Sequence, residues 1–252
     1  MADSTERDTV GRFSDRAGDY IQYRPTYPAE AIDAMLDGLG SAGRLVAADV
    51  GAGTGISARL LGDRGVRVIA VEPGEGMRRA AAPHPNVVWV AGRAEATGLC
   101  SSAVDLVLCA QSFHWFRTTD ALSEFARILK ERGRLAICWN RRSTSDPLTT
   151  GYRQAIVDVG GEMSAESRTF DPDVIRDSGL FSSPERKSFP NLQRLDLAGL
   201  IGRARSASYV PRTGVAGERL IGPLHALHER YADGSGFVTM VYDTEVFCST
   251  RL

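Results

Sequence analysis

The chain has 252 residues, 43% of them hydrophobic and 24% charged, and its formal net charge is −1. These values are typical of a globular protein and exclude a disordered chain. Basic residues form no block, so nucleic acid is not an expected partner. The chain contains no run of about 18 apolar residues, so neither a membrane-spanning helix nor a membrane partner is expected.

The polar first twenty residues do not resemble a signal peptide. The four cysteines are scattered, and no C-x-x-C pair indicates a zinc or redox site. We therefore expect a cytoplasmic protein. No His/Asp cluster has the spacing of metal ligands, so no metal is expected.

Apolar residues at helical spacing after Pro28 predict a first helix that ends near Gly38 or Gly40. Short, valine-rich apolar runs then recur, as expected for strands covered on both faces. They lie at residues 44–50, 66–72, 86–92, 104–110 and 134–140.

Helical patterns separate most of these runs, and the clearest is "TDALSEFARILKERG" at 119–133. Leu122, Phe125 and Leu129 form its apolar stripe, and Gly133 is expected to end it. Strands that alternate with helices predict a doubly wound, mainly parallel sheet with helices on both faces.

Beyond Asn140 the alternation stops. A helical region is expected to about residue 170, a strand within 185–197, a helix near 220–231 and a long final strand at 236–247. We expect one α/β domain with a seven-stranded sheet. Its parts would be an N-terminal lid (1–28), a core (29–142), a late helical insertion that caps the substrate (143–235) and the final strand (236–252).

The stretch "AADVGAGTGISARLL" at 47–61 follows the first predicted strand and predicts a ligand-binding turn, with a purely steric turn as the alternative. A Walker A loop would need Lys-Ser or Lys-Thr after its last glycine, and the chain has neither. The dinucleotide-binding pattern G-x-G-x-x-G is not matched, because Ile56 occupies the position of the third glycine. Glu72, at the end of the second strand, suits the two ribose hydroxyls of NAD or of another nucleoside.

The pattern D-x-G-x-G-x-G, formed by Asp49, Gly51, Gly53 and Gly55, resembles motif I of the class I S-adenosylmethionine (SAM)-dependent methyltransferases. An acid at its start suits the ammonium and sulfonium of SAM and would repel a pyrophosphate. Four further stretches resemble a type 11 methyltransferase subgroup that includes the trans-aconitate-methyltransferase-like enzymes. They are "FSDRAGDYIQYRPTYP" (13–28), "AQSFHWF" (110–116), "WNRR" (139–142) and "SASYVP" (206–211).

The resemblance implies a set of cofactor residues. The motif I residues Asp49, Gly51, Ala52, Gly53 and Gly55 would line the amino-acid and ribose side, and Glu72 would bind the ribose. Pro73, Met77, the Ala94 N–H and Glu95 would lie at the adenine, although Met77 also suits the core and Glu95 a structural role. The family often has an acid where this chain has Arg93. Gln111 and Arg24 would lie at the methionine end, with Arg24 on the SAM carboxylate.

The same resemblance places Tyr20, His114, Trp115, Asn140 and Tyr209 at the acceptor, with His114 as a candidate base. It implies methyl transfer to an O, N or C nucleophile of a small molecule, including a carboxylate. Two alternatives remain open: an NAD-dependent oxidoreductase, and an inactive SAM-binding or interaction module.

Overall fold

The computed structural model describes residues 23–159, 170–206 and 214–252. Its seven strands are β1 (Val46–Val50), β2 (Arg67–Val71), β3 (Val87–Val90), β4 (Val104–Ala110), β5 (Leu129–Arg142), β6 (Glu185–Leu195) and β7 (Val238–Thr250). The described helices are α1 (Ala29–Leu36), α2 (Ile56–Gly62), α3 (Glu75–Ala80), α4 (Thr118–Ile128), α5 (Pro147–Asp158), α6 (Asp173–Asp177), α7 (Leu197–Arg205), α8 (Gly214–Arg219) and α9 (Ile221–Tyr231).

The strands form one sheet in the order β3-β2-β1-β4-β5-β7-β6. The first five strands are parallel, and β7 runs antiparallel to both β5 and β6. The predicted doubly wound, mainly parallel sheet of seven strands is thereby confirmed. Strand order reverses between β1 and β4, so the loops that follow these two strands meet at one edge of the sheet. In such sheets this is where ligands bind.

Apolar side chains cover both faces of the sheet, as the near-continuous apolar runs predict. Helices α1 and α2 bury one face through Ile32, Met35 and Leu61, and helix α4 covers the other through Leu122 and Phe125. A third apolar cluster joins α5, α7 and α9 to the start of β7. The late helices therefore pack against the end of the sheet where β5 finishes and β7 begins, and their function as a substrate cap stays a prediction.

The boundary between α4 and β5 differs from the prediction. The helix ends at Ile128, and Leu129 pairs with Val104 in the sheet instead of extending the helical stripe. The pairing resumes between Leu106 and Arg134 after a register shift. Leu129 is fully buried in the sheet, and the apolar stripe of a longer helix would also face the core, so apolar spacing alone does not distinguish helix from strand there.

The described part of the chain contains no helix with both the length and the apolar character needed to cross a bilayer.

Candidate active site

The glycine-rich loop between β1 and α2 has a backbone that only glycine adopts readily. Gly51, Gly53 and Gly55 have φ angles of +69°, +57° and +77°. A Cβ on Gly51 would lie 2.7 Å from Cβ of Ser112, and one on Gly55 would lie 2.9 Å from the ring of Trp89. Steric demand alone therefore requires glycine at two of these positions, and the loop packs closely against its neighbours.

Glu72 follows β2 and joins this loop. The Gly53 N–H donates to Glu72 Oε2 at 3.0 Å, and the Gly74 N–H donates to Oε1 at 2.8 Å. Burial raises the pKa of Glu72, while these two N–H groups and the charge of Arg78 lower it in part. Each carboxylate oxygen can accept a second hydrogen bond. The arrangement fits a vicinal diol such as that of a ribose.

Asp49 lies beneath the loop rather than at its surface. Its side chain in β1 is fully buried, and Oδ2 accepts a hydrogen bond of 2.7 Å from Ser57 Oγ on α2. Burial raises the pKa of Asp49 to about 7. Oδ1 has no hydrogen-bond partner. A cation bound above the loop would favour the ionised carboxylate, because opposite charges attract strongly where water is excluded.

The predicted adenine residues lie after β2 and β3. Met77 and Ala94 are buried and Pro73 is exposed. Residues 93–96 form a tight turn closed by two backbone hydrogen bonds. Glu95 accepts a hydrogen bond of 2.8 Å from the N–H of Arg117, at the start of α4. This contact is the structural role that the sequence left open for Glu95.

The loop after β4 approaches the loop after β1. Ser112 Oγ donates to the Val50 carbonyl at 2.8 Å, a contact that sequence reasoning missed. Gln111 has a φ of +56°, which is uncommon outside glycine, and its Nε2 donates to the Asn140 carbonyl at 3.3 Å. Gln111 thus connects the end of β4 to the end of β5.

His114 and Trp115 lie in a group of aromatic rings. The His114 ring is 4.6 Å from that of Trp115 and 5.1 Å from that of Trp139, centre to centre. Trp115 is 42% exposed, whereas Trp139 is buried on β5 and its Nε1 has no hydrogen-bond partner. The Phe170 ring lies 6.3 Å from that of Trp139, centre to centre. The sequence marked "WNRR" as a motif, but it did not indicate that Trp139 would contact His114.

Asn140 holds the segment before α1. Its Nδ2 donates to the Thr26 carbonyl at 3.1 Å, and its Oδ1 accepts from Thr244 Oγ1 at 2.5 Å and from Asn191 Nδ2 at 3.1 Å. The amide therefore makes three hydrogen bonds within the protein, so the structure gives Asn140 a positioning role. Tyr20 and Tyr209, the other predicted acceptor residues besides His114 and Trp115, lie outside the described residues.

Arg24 reaches the late helices. Its Nη2 donates to the Ser206 carbonyl at 3.3 Å, just after α7. The neighbouring Tyr23 ring packs against Gly202, where an added Cβ would lie 2.3 Å from it. The segment before α1 is thereby held against α7. Among the residues that the structure describes, no cluster of three His, Cys, Asp or Glu side chains is suited to a metal ion.

Comparison with known proteins decides the family. Residues 48–137 match the model of the Methyltransferase domain family. An uncharacterized methyltransferase of Schizosaccharomyces pombe is 32% identical over 195 residues, which cover 74% of this chain and 78% of that protein. The chain belongs to the class I SAM-dependent methyltransferases. SAM is the methyl donor of this family, so the predicted cofactor is confirmed and the NAD-dependent alternative is removed.

Further similar proteins agree with the family assignment. An uncharacterized methyltransferase of Mycobacterium tuberculosis is 41% identical over 139 residues, 55% of this chain and 56% of that protein. The chain therefore matches little more than half the length of this relative. A solved structure of a candidate type II methyltransferase from Anaeromyxobacter dehalogenans superimposes with a TM-score of 0.66 at 23% identity. The match covers 90% of this chain and 97% of that one, so the two share a fold.

Proposed function

We propose that this protein transfers a methyl group from SAM to an O, N or C nucleophile of a small molecule, in the cytoplasm and as one domain. The observation that carries the proposal is the pair of hydrogen bonds from Gly53 and Gly74 to Glu72. They hold a carboxylate with spare acceptor capacity beside the glycine loop, at the edge where the strand order reverses.

The proposed cofactor set follows the motif. Gly51, Ala52, Gly53 and Gly55 would leave room for the methionine and ribose, and Glu72 would accept from both ribose hydroxyls. Asp49 would act on the cationic end through the loop, without direct contact. Pro73, Met77 and the Ala94 N–H would bind the adenine, with Glu95 bracing the turn. Gln111 and Arg24 would lie at the methionine end.

When bound, SAM would supply an activated methyl group: an acceptor lone pair would bond to the methyl carbon as the carbon–sulfur bond breaks, and the sulfur would leave as the thioether of SAH. The protein then has mainly to align the acceptor and exclude water, and positioning of this kind is worth roughly 7–11 kcal/mol in well-oriented reactions. His114 and Trp115 would contact the acceptor, together with Tyr20 and Tyr209. The buried Trp139 ring supports the His114 imidazole from β5. For a hydroxyl or amine acceptor His114 would take the proton, whereas a carboxylate acceptor needs no base.

The subgroup resemblance extends the proposal to acceptors like those of the trans-aconitate-methyltransferase-like enzymes. This part is supported by the four sequence stretches alone. Arg93 counts against it, because it stands where the family often has an acid.

Calorimetric titration with S-adenosylhomocysteine (SAH) tests the cofactor site, and a labelled-methyl screen over small acids, phenols and amines tests transfer. We expect SAH to bind and at least one acceptor class to be methylated. No heat with SAH would refute the proposal. Binding without any transfer would favour an inactive SAM-binding module.

His114→Ala tests the acceptor side. If the screen finds a hydroxyl or amine acceptor, we expect kcat to fall about a hundredfold, the usual contribution of a positioned base, while the Kd for SAH is unchanged. His84→Ala is the matched control, because His84 precedes β3 and pairs at 3.2 Å with Asp63, just after α2, away from the loop after β4. An unchanged kcat in His114→Ala would remove His114 from catalysis.

A further inference from the structure

The segment 112–116, which we call the β4 turn, lies directly against the glycine-rich loop. Ser112 at its start is buried, and its Oγ donates to the Val50 carbonyl at 2.8 Å. A Cβ added to Gly51 would lie 2.7 Å from Cβ of Ser112 and 3.1 Å from Cζ of Phe116. Both ends of the β4 turn therefore pack against the same glycine of the cofactor loop.

The β4 turn is short and is closed by its own hydrogen bonds. The N–H of Trp115 donates to the Ser112 carbonyl at 3.0 Å, and the N–H of Phe116 donates to the Phe113 carbonyl at 3.1 Å. His114 and Trp115 lie between the two ends of this turn. The contacts that Ser112 and Phe116 make therefore determine where these two rings lie relative to the glycine-rich loop.

This contact joins the two sides of the proposed site. The proposed function places the methyl donor on the glycine-rich loop and the acceptor against His114 and Trp115. Close-packed groups cannot move independently, so a displacement of the loop at Gly51 must displace the β4 turn as well. Methyl transfer needs the reacting atoms about 3–3.5 Å apart and in line, and a misplacement of about 1 Å can cost roughly 100-fold in rate.

We propose that Ser112 is a positioning residue for methyl transfer. Its hydrogen bond to Val50 and its packing on Gly51 hold the turn that carries His114 and Trp115 at a fixed distance from the bound cofactor. The Ser112 hydroxyl hydrogen is given to Val50, so the residue acts through these neighbours and not on the reacting atoms. This inference rests on the proposed function and adds to it how the cofactor and acceptor sides are kept in register.

The first test needs no acceptor. The full chain is labelled with 5-fluorotryptophan at its three tryptophans, and the fluorine NMR resonances are followed as SAH is added. Trp115 reports on the β4 turn. Trp89 is the internal control, because its ring lies 2.9 Å from the position of a Cβ on Gly55 and so reports on the glycine-rich loop itself. Trp115→Phe and Trp89→Phe assign the two resonances, and we expect SAH to shift both in the wild-type chain.

Ser112→Ala removes the hydrogen bond to Val50. The shift that SAH causes at Trp115 should fall to about half or less, whereas the shift at Trp89 should be unchanged and the Kd for SAH should stay within about twofold. Phe116→Leu withdraws the contact at the other end of the β4 turn and should act in the same direction, so the result does not depend on one variant. Ser123→Ala is the matched control, because Ser123 Oγ also donates to a backbone carbonyl, at 2.9 Å, but on the exposed side of α4.

The second test uses an acceptor found in the labelled-methyl screen. Ser112→Ala should lower kcat about tenfold and leave the KM for SAM within about twofold, because the donor still binds while the acceptor groups lie out of line. A role in stability alone would lower the unfolding temperature without this difference between kcat and KM. Ser123→Ala should keep the kcat of the wild-type chain.

Equal shifts at Trp115 in the wild-type chain, Ser112→Ala and Phe116→Leu would overturn the inference, and so would a Trp115 resonance that SAH does not move in the wild-type chain. An unchanged kcat in folded Ser112→Ala would overturn it as well. A tenfold weaker Kd for SAH in Ser112→Ala would also do so, because Ser112 would then act on cofactor binding. A wild-type chain that does not bind SAH, or methylates no acceptor, is a separate result, which refutes the proposed function itself and this inference with it.

Discussion

Replacement of Glu72 by alanine tests the cofactor site most directly. The carboxylate has two oxygens, and each already accepts one backbone N–H, which leaves one acceptor position per oxygen for the two ribose hydroxyls. A hydrogen bond to a charged group contributes about 1.5–3 kcal/mol. Because water replaces part of the loss, we expect about 2–3 kcal/mol for the pair, a rise of roughly 30- to 150-fold in the Kd for SAH.

The assay is calorimetric titration of Glu72→Ala with SAH, with thermal unfolding to show that the variant is folded. Glu75→Ala is the matched control, since Glu75 is an exposed acid three residues away that pairs only with Arg79 on α3 in the described structure. The control should bind SAH within twofold of wild type.

A ligand change separates the ribose contact from the effect on the loop. SAH without its 2′-hydroxyl should bind wild type more weakly than SAH does, and Glu72→Ala should distinguish the two ligands much less, because the partner of that hydroxyl is gone. Equal affinity of wild type and folded Glu72→Ala for SAH would refute the ribose assignment. An undiminished preference for SAH over the deoxy ligand in the variant would also refute it.

Three further predictions concern the loop, the buried acid and the N-terminal segment. Gly51→Ala should lower the free energy of unfolding by about 2–4 kcal/mol in denaturant titrations, from the strained φ and the close contact with Ser112. Gly65→Ala is the control, because φ there is +85° and an added Cβ would meet no other atom; it should lose only about 1–2 kcal/mol, the cost of the strained φ. Equal losses of unfolding free energy in the two variants would contradict the packing argument. Because burial raises the pKa of Asp49 to about 7, the folded state binds a proton that the unfolded state has lost between pH 4 and 7. Its contribution to stability is therefore fully present below pH 4 and is lost as the pH rises to 7, at about 1.4 kcal/mol per pH unit. Asp49→Asn should be more stable than wild type at pH 8 but not at pH 4, and a constant difference between the two unfolding free energies would refute this sign. Asn140→Ala should lose about 1–3 kcal/mol of unfolding free energy, because it leaves buried hydrogen-bonding groups without partners, and no loss would show that Asn140 does not hold the segment.

The cofactor side of the site could be predicted from the sequence because its chemistry is local. Asp49 lies on β1, the three glycines lie in the loop after it, and Glu72 directly follows β2, the next strand along the chain. Valine-rich runs indicate parallel strands, and parallel strands bring their carboxyl ends to one edge. The class I methyltransferase family and SAM follow from this region together with the four further stretches, the fold follows from the alternating strand and helix patterns, and all three are confirmed. The individual contacts of the cofactor stay predictions.

Tertiary packing decided two features that local sequence patterns do not determine, namely where α4 ends and which way the Asp49 side chain points. Leu129 continues a helical stripe in sequence, but its pairing with Val104 makes it the first residue of β5. Asp49 is an acid at the start of a binding motif, yet alternation along β1 turns its side chain beneath the loop, towards Ser57.

The acceptor side depends on tertiary structure most of all. His114 follows β4, Trp139 lies on β5 and Phe170 precedes α6, and each by itself is an ordinary aromatic residue of its segment. Aromatic side chains occur in most protein cores, so none of these residues indicates from sequence that its ring will join this group of rings. Only the packing of the loop after β4 and of the segment before α6 against β5 brings these rings together, because burial of apolar side chains is what holds them in place.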